Sequence, residues 1–301
     1  MRRAIPLVLL VLIAAACGDD VDVDADVEVG DGGDTPTGQE QPTTAPGTTN
    51  EPRPDITDPT DPPVPPTSAP VLGKELIGRW AHYDVVAYED GTLKTLIISY
   101  GFNDFAAVDG RIVDSAEFCF SEQRTDQPIE TSLSDAATQA IEPPSTPVDV
   151  DEVDGTLRVR RAATPTPVGI RLDDPANETL PDDPDDPRIV DDDGDGKPGI
   201  TVNIRVTDEL SGELYIARRE IFAYEALLTD ADTLTGTVTD DSEQLIIGAS
   251  DPIFAVGSEW VQHPDLSKSP IILKRVGDDW DCARLAAERD TLFPPTPDVD
   301  W

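Results

Sequence analysis

The sequence predicts an all-β fold: an antiparallel β-barrel or sandwich with one or two short helices, behind a disordered N-terminal tether. Three observations carry this. Apolar and polar residues alternate with period two through most of the chain after Lys74. Turn residues punctuate the alternating runs at hairpin spacing. The aromatic residues Trp80, Tyr83, Tyr88, Tyr100, Phe102 and Phe105 arrive together where the alternation begins, after a long stretch without any.

The clearest strand is Gly199–Thr207, with Ile200, Val202, Ile204 and Val206 on one face and Thr201, Asn203, Arg205 and Thr207 on the other. Further strands are expected at Arg79–Ala87, Leu93–Tyr100, Arg111–Phe120, Thr156–Arg161, Val168–Leu172, Glu213–Leu228, Thr233–Thr239, Gln244–Ala249 and Pro270–Val276. Glu89-Asp90-Gly91, Asp109-Gly110, Asp154-Gly155 and Ser211-Gly212 supply turns between them. Ser132–Ile141 is the good helix candidate, capped by Ser132 with Asp135 and stopped by Pro143-Pro144. A second short helix is expected after Cys282.

The chain has 301 residues, with 61 acidic and 22 basic side chains and a formal net charge of −39. Such a field repels polyanions, which excludes nucleic acid as a partner. Residues 18–73 hold 13 acids, 11 prolines and one base, Arg53. That composition cannot bury enough apolar surface to offset chain ordering. Like charges and Pro would keep it extended, spanning about 40 Å as a flexible coil and about 170 Å if Pro-extended.

At the start, Arg2 and Arg3 precede an apolar run from Ala4 to Ala16, too short to span a bilayer. Ala14, Ala15 and Ala16 lead directly into Cys17. This resembles the lipobox of bacterial lipoproteins, with Ala14 departing mildly from the usual leucine. The resemblance implies cleavage before Cys17, lipid on its thiol and a membrane anchor in the cell envelope. Gly18 rather than Asp after the cysteine favours the outer over the inner membrane if the cell is Gram-negative. The expected organisation is a signal peptide at 1–16, a lipidated tether at 17–73, a β domain at 74–290 and a flexible tail at 291–301. With Cys17 lipidated, Cys119 and Cys282 remain as an even pair, read as a disulfide in an exported protein. It would close a loop of about 160 residues, worth about 4–5 kcal/mol.

Gly78-Arg79-Trp80 opens the first strand and resembles the Gly-x-Trp of lipocalins and related calycin barrels. The resemblance implies that Trp80 plugs a closed barrel end and that a basic residue near the last strand, Lys274 or Arg275, covers it. It covers only these few residues, and the other lipocalin loop motifs are absent. A small apolar or amphipathic ligand is the occupant that such a barrel would take.

Asp173–Asp195 holds 11 acids and one base, Arg188, and ends in D-x-D-x-D-G at Asp191, Asp193, Asp195 and Gly196. Alternate carboxylates in a tight loop converge on one point, and the Lys197 carbonyl would complete the approach. Hard oxygen ligands suit Ca²⁺. The loop resembles those of thrombospondin type 3, dockerin and EF-hand proteins, which implies a structural calcium ion. It departs from the EF-hand in having Val202 at the twelfth position and a strand at the exit. The bidentate ligand must then come from Asp182, Asp183, Asp185 or Asp186, or be replaced by water, with affinity of about 10⁻⁴–10⁻³ M.

Catalytic signatures are sparse. His82 and His263 are the only histidines, and no H-E-x-x-H, G-x-S-x-G, P-loop or G-x-G-x-x-G is present. The doublets Arg160-Arg161 and Arg218-Arg219 fall on expected strands and should each turn one side chain inward. The expected function is a non-enzymatic binding or structural module, lipid-anchored at the envelope. The alternative is an envelope hydrolase, acting on carbohydrate, with two carboxylates about 5–9 Å apart.

Overall fold

A computed structural model describes residues 71–91, 93–181, 183–255 and 260–301 of the protein. The expected signal peptide, Cys17, nearly all of the expected tether and Asp182 lie outside the described residues.

The domain is all-β, built on a nearly closed antiparallel barrel. Its strands run in the order β5 (Thr146–Pro147), β3 (Arg111–Thr125), β2 (Leu93–Val108), β1 (Gly78–Asp90), β15 (Pro270–Arg275), β12 (Thr233–Asp240), β11 (Phe222–Asp230), β7 (Thr156–Arg161) and β6 (Asp149–Val153). The two ends of that order are consecutive in the chain. Only Val148 separates β5, bonded to β3, from β6, bonded to β7, and the Val148 amide donates to the Ile112 carbonyl at 2.9 Å. Counted once, this kinked stretch gives the ring eight strand positions. The short β14 (Val261–Gln262) pairs with the far end of β1.

A smaller sheet is assembled from what the barrel strands leave between them. It runs β13 (Glu243–Ala249), β10 (Leu210–Glu220), β9 (Ile200–Thr207) and β4 (Glu130–Leu133), with β8 (Thr166–Val168) also on β10. Ile200, Val202 and Ile216 pack there with Ala137 of the helix α1 (Asp135–Gln139).

β1 is buried on both faces, because each of its faces meets a different core. Trp80, Val86 and Tyr88 point into the barrel, where Phe105, Tyr224, Leu234 and Leu273 meet them. Ala81, Tyr83, Val85 and Ala87 point outward, under the helix α2 (Cys282–Leu292) and the residues after it. The Cys119–Cys282 disulfide, with Cα atoms 5.3 Å apart, fastens α2 to β3.

Asp109-Gly110 and Asp154-Gly155 turn with both residues at positive φ, the mirror-image turn that suits two-residue hairpins. Five sequence expectations need correction. The expected strand Val168–Leu172 is instead β8, which ends at Val168, with only an isolated bridge from Ile170 to Ile189 beyond it. The expected strand Glu213–Leu228 breaks at Ile221, and the chain changes sheet there. The helix expected from Ser132 starts later, capped by Ser134, because Ser132 and Leu133 pair with β9. The tether ends earlier than residue 73, since Val71 already packs on the barrel core. The expected flexible tail is instead packed: Phe293 is buried against Tyr83 and Tyr100, and the Trp301 indole donates to Glu89.

Candidate functional site

The acidic loop is bound to the smaller sheet by close backbone contacts. Gly169 and Gly199 lie at positive φ, and a Cβ on Gly199 would sit 2.2 Å from the Ile216 carbonyl oxygen. Only glycine permits that approach. From this base the chain turns back on Asp191. Its Oδ1 accepts from the amides of Gly194 (2.8 Å) and Asp195 (3.2 Å), and its Oδ2 from Gly196 (2.8 Å). Asp193 Oδ2 accepts from the Thr201 amide at 2.9 Å. Asp195 accepts from the Lys197 amide at 2.9 Å and the Thr201 hydroxyl at 2.7 Å.

The structure thus brings Asp191, Asp193 and Asp195 together, with one carboxylate oxygen from each lying within 4.8 Å of the others. Asp192, the residue between them, turns the other way and takes Arg171 and the Gly169 amide. Asp193 Oδ1 is buried and has no hydrogen-bond partner. Desolvation raises the Asp193 pKa, with the neighbouring carboxylates adding to it. Asp195 is desolvated too, but hydrogen bonds from Thr201 and Lys197 bring its pKa below the ordinary value.

Of the acids expected to add a further ligand, the described Asp183, Asp185 and Asp186 do not join this group. Asp186 is held by Arg188, and Asp183 accepts from the Asp185 amide. The outside acid tied to the loop is Glu213 of β10. The Lys197 ammonium links them, 2.6 Å from Glu213 and 3.4 Å from Asp195. The sequence placed Lys197 at the site through its carbonyl, and its side chain proves to be the local countercharge.

Trp80 and Arg275 also come together. They are partners across β1 and β15, and the guanidinium lies 4.2 Å from the indole ring centre. Arg275 donates to the carbonyls of Ile77 and Glu75, while the Trp80 indole donates to the Leu76 carbonyl at 2.7 Å. Gly78 makes the seat. Its φ is +127°, and a Cβ there would lie 3.2 Å from an Arg275 nitrogen. Lys274 alternates to the outside and donates to the Thr233 hydroxyl.

Beyond Trp80 the barrel interior is unexpectedly polar. His82 and Asp84 follow Trp80 on the inward face of β1, and both are buried. His82 Nδ1 lies 2.9 Å from Asn103 Oδ1, and the Asn103 amide donates to both Asp114 oxygens at 2.8 and 2.9 Å. Asp114 also accepts from the Tyr224 hydroxyl at 2.8 Å and faces the wholly buried Arg161 at 3.3 Å. At the other end Tyr88 donates to Asp240, and Arg218 pairs with Glu220 at 2.8 Å. Of the arginine doublets, Arg161 turns inward and Arg160 stays out, as alternation requires. Arg218 and Arg219 are both largely covered, because one meets the barrel interior and the other the acidic loop's carbonyls at Pro175 and Glu178. His263 is half-buried beside Glu89 and Trp301.

One hollow of about 880 Å³ is an open groove between β3 and the smaller sheet, with Glu122, Arg124, Glu130, Arg205 and Glu213 in its walls. Among the described residues no helix is long and apolar enough to cross a membrane. No family model, curated protein or solved structure matches the chain.

Proposed function

We propose that the chain is a lipid-anchored exported protein whose calcium-ordered β domain serves as a binding or structural module at the cell envelope. The observation that carries the reading is the convergence of Asp191, Asp193 and Asp195 around a buried Asp193 oxygen that lacks a partner. A divalent cation would accept that lone pair and offset the repulsion of three carboxylates, which the Lys197 ammonium only partly does. Asp191, Asp193, Asp195 and the Lys197 carbonyl would hold the ion, and its role would be to order the loop. The disulfide supports export, since such bonds persist in oxidising compartments. The anchor rests on Cys17 and its preceding small residues, and the outer membrane is the favoured address.

Thermal melts of the full chain with calcium, magnesium and chelator at fixed ionic strength test the metal. At ten times the dissociation constant, calcium should add about 1.4 kcal/mol, or roughly 3–5 °C. Asp193→Ala should remove the increment. Equal midpoints with calcium and with chelator would refute the calcium reading.

A further inference from the structure

The tautomer of His82 follows from its neighbours. Asp114 faces Arg161 and accepts from Tyr224, so it acts as an acceptor and orients the Asn103 amide nitrogen toward itself. The Asn103 oxygen therefore faces His82 Nδ1 at 2.9 Å. A carbonyl oxygen only accepts, so Nδ1 carries the hydrogen and donates it. In a neutral imidazole this leaves a bare lone pair on Nε2.

That nitrogen is buried and has no hydrogen-bond partner, although its ring is 2 % exposed and fixed from the other side. The nearest acid is Asp84, with Oδ2 at 3.7 Å. Among the described residues no hydrogen bond reaches the Asp84 carboxyl. The bare Nε2 and the largely buried Asp84 carboxyl, whose side chain is 9 % exposed, lie close together just beyond direct hydrogen-bond reach, and an ionised acid beside that lone pair is unfavourable unless something positive is shared between them. Two side chains make a poor set of metal ligands, and among the described residues no third donor joins them. A proton completes the pair.

We propose that Asp84 and His82 form a proton-binding site inside the barrel, with the acid protonated and its O–H directed at Nε2. The bound proton then acts as a structural ligand. Losing it would leave a largely buried ionised carboxylate with no protein donor among the described residues. The charged surroundings work in the same direction. Asp240 of β12 and Glu220 of β10 oppose ionisation of Asp84, and burial raises its pKa to about 8. Tyr88 of β1 and Arg218 of β10 are taken up with Asp240 and Glu220. Arg161 of β7 opposes a positive charge on His82, whose pKa burial lowers to about 4. Asp114 of β3 and Tyr224 of β11 are engaged with Asn103 and Arg161, and β15 sets Leu273 and Ile271 opposite the pair, with Arg275 one step further on over Trp80.

Infrared difference spectra of the full chain, paired with nitrogen NMR of His82, test this. The expected result has three parts: a protonated-carboxyl band at neutral pH, its loss as pH rises through about 8, and its absence in Asp84→Asn but persistence in Asp240→Asn. His82 should show one protonated nitrogen, Nδ1, and one bare nitrogen. The NMR reading needs no substitution, so it stands if a variant fails to fold. No carboxyl band at neutral pH, a band that survives Asp84→Asn, an imidazolium with two protonated nitrogens, or His82 signals that move on chelation would each overturn the proposal.

Discussion

Replacing Asp84 with Asn should change how stability depends on pH, and the size follows from two groups. The Asp84 pKa is raised from 3.8 to about 8 on folding, so the folded protein holds an extra proton between those values. Its contribution is fully present below the unfolded pKa and is lost as pH rises through the folded one. The His82 pKa falls from 6.5 to about 4, so its contribution is present above the unfolded value and lost as pH falls through the folded one. Between about pH 4 and 6.5 the two slopes oppose and cancel. From about pH 6.5 to 8 only Asp84 acts, at about 1.4 kcal/mol per pH unit, for a loss of about 2 kcal/mol. Asp84→Asn should abolish that loss and leave the His82 slope uncovered at lower pH. Urea unfolding of both proteins at pH 6.5 and 8, at one ionic strength, measures the difference, in which the other titrating groups cancel. If the variant loses as much stability over that interval as the parent, the buried acid is not protonated and the reasoning fails.

Other perturbations reach separate parts of the structure. Removing both Cys119 and Cys282, which lie 163 residues apart, should cost about 5 kcal/mol in chain entropy and show as a lower urea midpoint. Arg161→Met strands the buried Asp114 carboxylate and should cost about 3–5 kcal/mol; substituting Asp114→Asn as well should recover much of it in a double-mutant cycle. Gly78→Ala forces a side chain into a glycine-only conformation against Arg275 and should cost about 1–3 kcal/mol by thermal melt. Mass spectrometry of the native protein should find its N-terminal peptide beginning at an acylated Cys17.

Sequence patterning was most legible where one strand face meets solvent or a turn has special geometry. Ile200–Thr207 and the Asp-Gly hairpins are examples, because alternation and positive φ are local properties. The convergence of Asp191, Asp193 and Asp195 was legible for the same reason, since the three acids are close in the chain. Pairing across distance was partly legible: cysteine arithmetic paired Cys119 with Cys282, and the glycine before Trp80 pointed to a basic cover that Arg275 supplies. The interior proton pair was missed because β1 is buried on both faces, so His82 and Asp84 look like the polar half of an ordinary strand. The signal was their spacing: both lie two-residue steps from Trp80, on the face that points inward. The break at Ile221 was unreadable because a change of sheet leaves the alternation almost intact.

The seam at Val148 has a consequence for life in a crowd. A ring whose last gap is bridged by consecutive residues offers neighbours few free amides, so the barrel wall resists strand-to-strand adhesion. The appended sheet lacks that protection. Its outermost seven-residue segment, Glu243–Ala249, is bonded on one side only among the described residues and carries Leu245, Ile246 and Ile247 at its centre. Aggregation or self-association by edge pairing would therefore start there, and a lysine at that rim would guard the molecule more effectively than any change to the wall.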